Sequence, residues 1–349
     1  MIKAERGCPS GVATRLTRRQ VLAAGGGAAS MMLLPAGLRA ATASARAVDV
    51  VMTQGVSGLI VQEVARAQGF FEQLSVQPNV LLVSDGSKCV AALVSGAAKI
   101  CAWSGFNQLT PAIERGAKIK ILAGALSLAD LAMYSGHPEI KRVADLEGKA
   151  IGIGAPGSVL HQMTVLLLKK KGVNVDRVMF RNVGSNADVM KAVIARTVDA
   201  GLSDVDVFDQ QQKFGFHALP DGLLWKEIPE YTNQGTYAAD DAIRDDRDTL
   251  VRVLAAYARA YRFISGPSSR PAFLQARQKV TGIADPTQAI TAWNWIQQNQ
   301  PYAVNLVLSE AQIDLVQKFN VDFKVQRSVV PIAAIADMSL ARDAVKLLS

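Results

Sequence analysis

The stretch VDVVMTQGVSGLIVQEVARAQG, residues 48–69, decides the fold class of this chain. Residues 48–54 form an apolar run that predicts a buried strand, and Gly55 marks its end. From residue 57 to residue 68 the apolar side chains recur at helical spacing, and Gly69 predicts the end of that helix. A strand followed directly by a helix is the repeating unit of an α/β sheet.

The same alternation of strand and helix signals continues along the chain. It recurs at residues 80–83 and 86–95, 99–103 and 107–115, and 119–123, and after turn residues 134–138 it resumes at 149–153 and 158–171, 178–181 and 187–196, and 198–202 and 205–213. After about Tyr237 the chain turns helical, with a long amphipathic helix predicted at 247–264. The pattern predicts an α/β protein of two lobes, each a doubly wound sheet, with a helical C-terminal third.

Composition and charge exclude several classes of protein. The chain has 349 residues, 50% hydrophobic and 19% charged, which is typical of about two globular domains. A formal charge of +8 first suggests a nucleic-acid partner, but residues 1–47 hold seven Lys or Arg and one acid. Residues 48–349 therefore carry only +2, which leaves no basic stripe for a phosphate backbone. We expect no nucleic-acid partner.

Residues 1–47 have the layout of an export signal. A basic start ends in TRRQ at 17–20, a mildly apolar stretch follows at 21–38, and Ala-x-Ala sites lie between 41 and 47. The paired arginines and the glycine-diluted apolar stretch resemble a twin-arginine signal. An uncleaved membrane anchor is the alternative, but four glycines and a proline make the stretch weakly apolar. We expect a cleaved signal, a mature chain beginning at 41–49 and a periplasmic location.

Five short motifs resemble a known family. They are AQGFFE (67–72), AALVSGAAKI (91–100), AIERG (112–116), VADLEGK (143–149) and GAPGS (154–158). In order and spacing they are similar to the periplasmic solute-binding proteins of nitrate, sulfonate, taurine and thiamine-precursor ABC transporters. The resemblance implies a type II periplasmic binding protein, which closes around a ligand and delivers it to a permease in the inner membrane.

The lobes and the ligand site can be placed on this pattern. We expect lobe 1 at 48–133 and 237–349 and lobe 2 at 134–236, in a monomer, with crossing segments near 130–135 and 232–238. Ligands of such sheets bind beyond the C-terminal ends of strands, where helix N-termini present free N–H groups. The predicted ligand-binding residues are Gln54, Ser57, Asp85, Ser87, Trp103, Ser104, Gly157, Ser158, His161, Ser185, Asn186 and Asp204.

Some of these residues have an alternative interpretation. An Asp near a helix N-terminus can be a helix cap rather than a ligand contact, which applies to Asp85 and Asp204. His161 can lie on a solvated helix face. Trp103 follows a strand and could stack on a ligand. The predicted turns contain no arginine, which argues against a strongly charged anion, although Arg181 at a strand end could still reach the cleft.

The sequence offers little chemistry of other kinds. GIGAPG at 152–157 matches G-x-G-x-x-G, but the next strand ends in Arg181-Asn182 and not in the acid of a dinucleotide site. We therefore interpret it as a ligand-cradling turn. Three scattered histidines do not make a metal site, and Cys89 and Cys101 are expected to be free thiols. We expect no catalytic residue, no cofactor and no metal.

The expected function is that of the substrate-binding component of an ABC-type importer, which binds a small organic molecule or anion without chemistry. Two alternatives stay open. One is an exported enzyme on the same fold that acts on a small heterocycle or thiamine-precursor-like compound. The other is a periplasmic sensor subunit.

Overall fold

The structure of the protein, a computed structural model, describes residues 45–348. The predicted export signal lies almost wholly outside the described residues and stays a prediction. Across residues 45–348, no helix combines the length and the apolar character that crossing a bilayer requires.

Two five-stranded sheets and a set of helices make up the described chain. The strands are β1 (Arg46–Thr53), β2 (Val76–Val83), β3 (Ile100–Ser104), β4 (Ile119–Leu126), β5 (Leu131–Ser135), β6 (Ala150–Ile153), β7 (Met179–Asn182), β8 (Ala200–Asp204), β9 (His217–Leu223) and β10 (Gln234–Ala239). The helices are α1 (Val56–Ala67), α2 (Phe70–Gln73), α3 (Gly86–Val94), α4 (Leu109–Glu114), α5 (Val159–Lys170), α6 (Asn186–Ile194), α7 (Gln211–Phe214), α8 (Leu224–Glu227), α9 (Asp240–Asp245), α10 (Arg247–Ser265), α11 (Arg270–Thr281), α12 (Thr287–Asn299), α13 (Glu310–Asp322), α14 (Ile332–Ile335) and α15 (Ser339–Lys346).

The two sheets share one topology. Their strand orders are β2-β1-β3-β10-β4 and β7-β6-β8-β5-β9. In each sheet the first three strands are parallel, and the fourth runs antiparallel to both of its neighbours. In each sheet the chain reaches this antiparallel strand directly from the other lobe. Strand β5 of the second sheet follows β4 of the first, and β10 of the first sheet follows β9 and α8 of the second lobe. The predicted fold class, two α/β lobes with a helical C-terminal third, is confirmed.

The two crossings lie side by side. The Asn233 N–H donates to the Leu126 carbonyl (2.9 Å), and the Asn233 side-chain amide donates to Asp130 Oδ1 (3.2 Å). The C-terminal helices also touch both lobes, since α11 packs on α1 and α12 packs on a 3-10 turn at Val205–Gln210. The two crossings and the helices α11 and α12 therefore all lie where the two lobes join.

Three strands are absent from the sequence-based prediction. The segments 130–135 and 232–238, expected to cross between the lobes, contain the buried strands β5 and β10. The sequence pattern predicts no element at His217–Leu223, which forms β9, and the His217 ring bonds the Ile140 carbonyl. The expected lobe boundaries at 133/134 and 236/237 fall inside β5 and β10, each of which pairs entirely within one sheet. All three strands lie in antiparallel pairs outside the parallel βα units, so a local βα pattern does not reveal them.

The core follows the predicted elements closely. All five residues of β3 are buried, and the amphipathic α10 packs its apolar face against α1, α2 and α15. The helix predicted at 247–264 is thus confirmed as α10. Cys89 on α3 and Cys101 on β3 are both buried and free, as expected.

Candidate functional site

A cavity of about 520 Å³ lies between the two sheets. Residues 53–57, at the end of β1 and the start of α1, line it from the first lobe, and residues 185–187, at the start of α6, line it from the second. Residues 204–206 lie at the end of β8 and directly after it, Asn233 comes from a crossing, and Arg277 comes from α11. The volume is in the range of small-molecule sites, and the lining lies at the C-terminal ends of parallel strands.

The structure brings six of the predicted site residues to this cavity. They are Gln54, Ser57, Trp103, Ser185, Asn186 and Asp204. Two helices, α1 and α6, begin at the cavity, and they differ in whether a side chain caps the N-terminus. Helix α1 begins after Gly55 with no side-chain cap, so its first-turn N–H groups can serve a ligand. Helix α6 is capped, because Ser185 Oγ accepts from the Asp188 N–H.

Trp103 forms a wall of the cavity rather than a free stacking platform. Its ring is 3% exposed and lies 6.4 Å, centroid to centroid, from each of Tyr261 and Tyr302. A Cβ at Gly58 would come within 2.7 Å of the indole, so α1 rests directly on it. The close approach of the two explains why a glycine stands in the first turns of α1.

Three of the first-lobe predictions lie away from the cavity lining. Asp85 caps α3 by accepting from the Lys88 N–H (3.1 Å), which is the alternative role that the sequence allows. Ser87, in the first turn of α3, is exposed. Ser104 is buried, with its hydroxyl directed to the Gly105 carbonyl.

The second-lobe turn is also closed to the cavity. Ser158 Oγ accepts from the His161 N–H (3.3 Å), and the Gly157 N–H donates to His161 Nδ1 (2.9 Å). The His161 ring packs edge-on against Phe323, just after α13, and burial lowers the pKa of His161. The turn therefore satisfies its own polar groups beneath the C-terminal helices. The apolar residues 159–160 line the cavity instead.

A cluster of acidic groups that the sequence analysis did not assemble faces the cavity. Asp130 accepts from Ser57 Oγ (3.1 Å) and from Asn233 Nδ2 (3.2 Å), and Asp204 accepts from Asn186 Nδ2 (3.0 Å). Leu131 of β5 pairs with Asp204 of β8, so Asp130 and Asp204 lie at the same end of two neighbouring strands. Their side chains therefore share one polar corner of the cavity.

The electrostatics of this corner are unusual. Burial raises the pKa of Asp130 to about 6, with a contribution from the neighbouring Asp206 carboxylate. Burial, followed by the charges of Asp130 and Asp206, raises the pKa of Asp204 to about 8. Among residues 45–348, no three His, Cys, Asp or Glu side chains are placed to hold a metal ion together. Asp130 and Asp204 both line the cavity of about 520 Å³.

The cation that lines the cavity already has a partner. Arg277 Nη2 of α11 lies 2.5 Å from Asp206 Oδ2, and the two side chains are 8% and 20% exposed. Asp206 belongs to the second lobe, whereas α11 packs on α1 of the first. The ion pair therefore ties the lobes together at the rim of the cavity. Nothing in the local pattern around Arg277 signals this contact, since it depends on how α11 folds back.

One family model matches a region of the chain that spans most of both lobes. The description "NMT1/THI5 like" matches residues 58–267 of the chain. The chain belongs to the NMT1/THI5-like family. The resemblance that the five motifs carry is thereby confirmed, although no curated protein sequence matches this NMT1/THI5-like chain.

Solved structures share the fold of this NMT1/THI5-like protein. The periplasmic aliphatic sulphonate binding protein SsuA from Escherichia coli matches with a TM-score of 0.69 and 18% identity, over 84% of this chain and 92% of that one. The alkanesulfonate-binding SsuA from Xanthomonas axonopodis pv. citri, bound to MOPS, matches with a TM-score of 0.64 and 17% identity, over 86% and 98%.

An enzyme has the same architecture. A point mutant of DSZB, in complex with biphenyl-2-sulfinic acid, matches with a TM-score of 0.64 and 14% identity, over 87% of this chain and 99% of that one. A second structure describes DSZB as a desulfurization enzyme. At these identities the likeness establishes the two-lobe fold of periplasmic binding proteins, and the same fold carries both binding proteins and an enzyme.

Proposed function

We propose that this protein is the substrate-binding component of an ABC-type importer, and that it captures a small organic molecule between its lobes. The observation that carries the proposal is the cavity of about 520 Å³ lined from both sheets at their strand ends. Two adjacent crossings join the lobes, which is the arrangement that allows hinged closure around a ligand. The family and the fold shared with two sulfonate-binding proteins support the same role.

Recognition would combine donors and acceptors from both lobes. The uncapped start of α1 offers backbone N–H groups, and Gln54, Ser57 and Asn186 offer polar side chains. A ligand that contacts both lobes stabilises the closed form, and closure presents the loaded protein to a membrane permease.

We propose that the twin-arginine signal directs export to the periplasm. We also propose that cleavage leaves a mature chain that begins at residues 41–45. Strand β1 starts at Arg46, whose guanidinium pairs with Asp248 at the start of α10. A mature chain that begins at residues 41–45 keeps this pair and the full strand.

An exported enzyme is the second candidate, and one observation favours it. Asp130 and Asp204 are neighbouring carboxyl groups that line the cavity, and burial raises the pKa of both. Such pairs serve as general acid and base in many active sites. Mass spectrometry of a binding compound after long incubation separates the two roles, since an importer component returns it unchanged.

Ligand binding can be tested before the ligand is known. Fractions of a small-metabolite extract are screened by thermal shift, where a compound at a hundred times its Kd should add about 2.7 kcal/mol of stability. The variant Ala187→Trp fills the cavity and should abolish the shift, whereas Ala195→Trp places the same side chain at the far end of α6 as a control. A shift that survives in Ala187→Trp would place the binding site elsewhere.

A further inference from the structure

We infer that the ligand of this cavity carries a positively charged nitrogen group with N–H donors, such as an amine or an amidine, which Asp130 and Asp204 receive. The inference rests on the proposed binding function and names the chemical class of the ligand. An anion that lacks such a nitrogen, a simple sulfonate for example, is the wrong ligand for this corner of the cavity.

The first observation is the balance of charged groups. Three carboxyl groups line the cavity with one guanidinium, and Arg277 forms its ion pair with Asp206. Asp130 and Asp204 accept hydrogen bonds from neutral hydroxyl and amide groups. Within the described chain neither of them forms a salt bridge. A cationic ligand group would pair with these carboxyl groups as they release their protons.

The second observation is an acceptor that has no donor. Gln234 lines the cavity from the start of β10, and its side-chain oxygen is buried without a hydrogen-bond partner in the described structure. A buried acceptor left unpaired is costly, and a ligand N–H group would satisfy it. This amide oxygen is independent of the acidic corner and calls for a hydrogen-bond donor on the ligand, which an amine or an amidine provides.

Protonation gives the inference a measurable signature. The charged and titratable groups around Asp130 and Asp204 are Asp206, Arg277, Tyr134 and Tyr302. Burial raises the pKa of both tyrosines, so these phenols stay neutral. Because Asp130 and Asp204 hold protons at mildly acidic pH, a cation must displace protons when it binds. Its affinity should therefore rise between pH 5 and pH 8, whereas the affinity of an anion should fall.

The uncapped start of α1 is compatible with this assignment. Its backbone donors can receive a polar or anionic end of the same molecule, so a zwitterion fits as well as a simple cation. The inference excludes only ligands without the nitrogen group. The decisive comparison is therefore between molecules of equal size that differ in this group alone.

The test uses benzamidine, benzamide and benzenesulfonate, which share a ring and carry a cationic, a neutral and an anionic group respectively. Binding is measured by calorimetry at pH 5 and pH 8 on the wild-type protein, on Asp204→Asn and on Asp209→Asn. The Asn side chain at 204 keeps the acceptor for Asn186, and Asp209 is an exposed control in the same turn. In parallel, metabolite fractions retained by cation exchange and by anion exchange are screened by thermal shift.

We expect benzamidine or the cation-exchange fraction to bind, with higher affinity at pH 8. Binding should weaken at least tenfold in Asp204→Asn and stay unchanged in Asp209→Asn. Stabilisation by benzenesulfonate or by the anion-exchange fraction alone, insensitive to Asp204→Asn, would overturn the inference and leave the binding function standing. If no probe and no fraction stabilises the protein, the proposed function itself fails, and the inference fails with it.

Discussion

Replacing Arg277 with Met tests the electrostatic account of the cleft. The guanidinium is 8% exposed and lies 2.5 Å from Asp206. The Met side chain keeps much of the volume but removes the cation. Asp206 is then left beside Asp130 and Asp204 without a positive charge. The variant should therefore lose stability and also loosen the contact between the lobes.

The size of the loss follows from the burial of the pair. Removing one partner of a buried ion pair costs about 3–5 kcal/mol. Since Asp206 keeps 20% exposure, we expect a value near the lower end, about 3 kcal/mol. At about 2.1 cal/mol/K of unfolding entropy per residue, a folded chain of about 300 residues loses about 1.6 °C per kcal/mol, so Tm should drop by about 5 °C.

The assay is thermal and denaturant unfolding of Arg277→Met beside two matched variants. Lys279→Met removes an exposed cation from the same helix, whose pair with Glu63 should matter by less than about 1 kcal/mol. The double variant Arg277→Met with Asp206→Asn should recover most of the loss, because no unpaired charge remains. Equal small effects of Arg277→Met and Lys279→Met, or no recovery in the double variant, would refute the reasoning.

Three further predictions concern the cap of α5, the carboxyl groups of the cavity and the predicted export signal. Ser158→Ala should lower stability by about 1 kcal/mol and leave ligand affinity unchanged, as calorimetry can show, because the hydroxyl caps α5 away from the cavity. The raised pKa values of Asp130 and Asp204 mean that the folded protein holds protons that the unfolded chain releases. Stability of the ligand-free protein should therefore fall as pH rises from about 4 through 8, and urea titrations at pH 5 and 8 should show a smaller fall in Asp204→Asn. Replacing both Arg18 and Arg19 with Lys should hold the precursor in the cytoplasm, which cell fractionation would reveal.

Local patterns in the sequence predict the strands and helices whose own residues carry an apolar run or a helical periodicity. The unit β1 and α1 is recognisable because a buried parallel strand reads as an apolar run and the next helix has its own periodicity. Strands β5 and β10 lack this signal. Each is inserted antiparallel between strands of the other lobe, so its burial depends on partners far away in sequence.

The same limit applies to the site. Turns that directly follow a strand and open into the cleft, such as Gln54–Ser57 and Ser185–Asn186, are predictable from strand ends. The turn at Gly157 has the same local pattern, but its N–H bonds the His161 ring, which packs on Phe323 after α13. Arg277 reaches the cavity only because α11 folds back onto α1. The residues near Arg277 in sequence do not predict this packing.

A crystal structure of the protein with the most stabilising compound from the thermal-shift screen tests the central claim most directly. The account predicts ligand density between residues 53–57 of the first lobe and 185–187 of the second, with a nitrogen of the ligand at the carboxyl groups of Asp130 and Asp204. Density outside this cavity, or contacts to one lobe alone, would contradict the claim that the protein binds its substrate between the lobes.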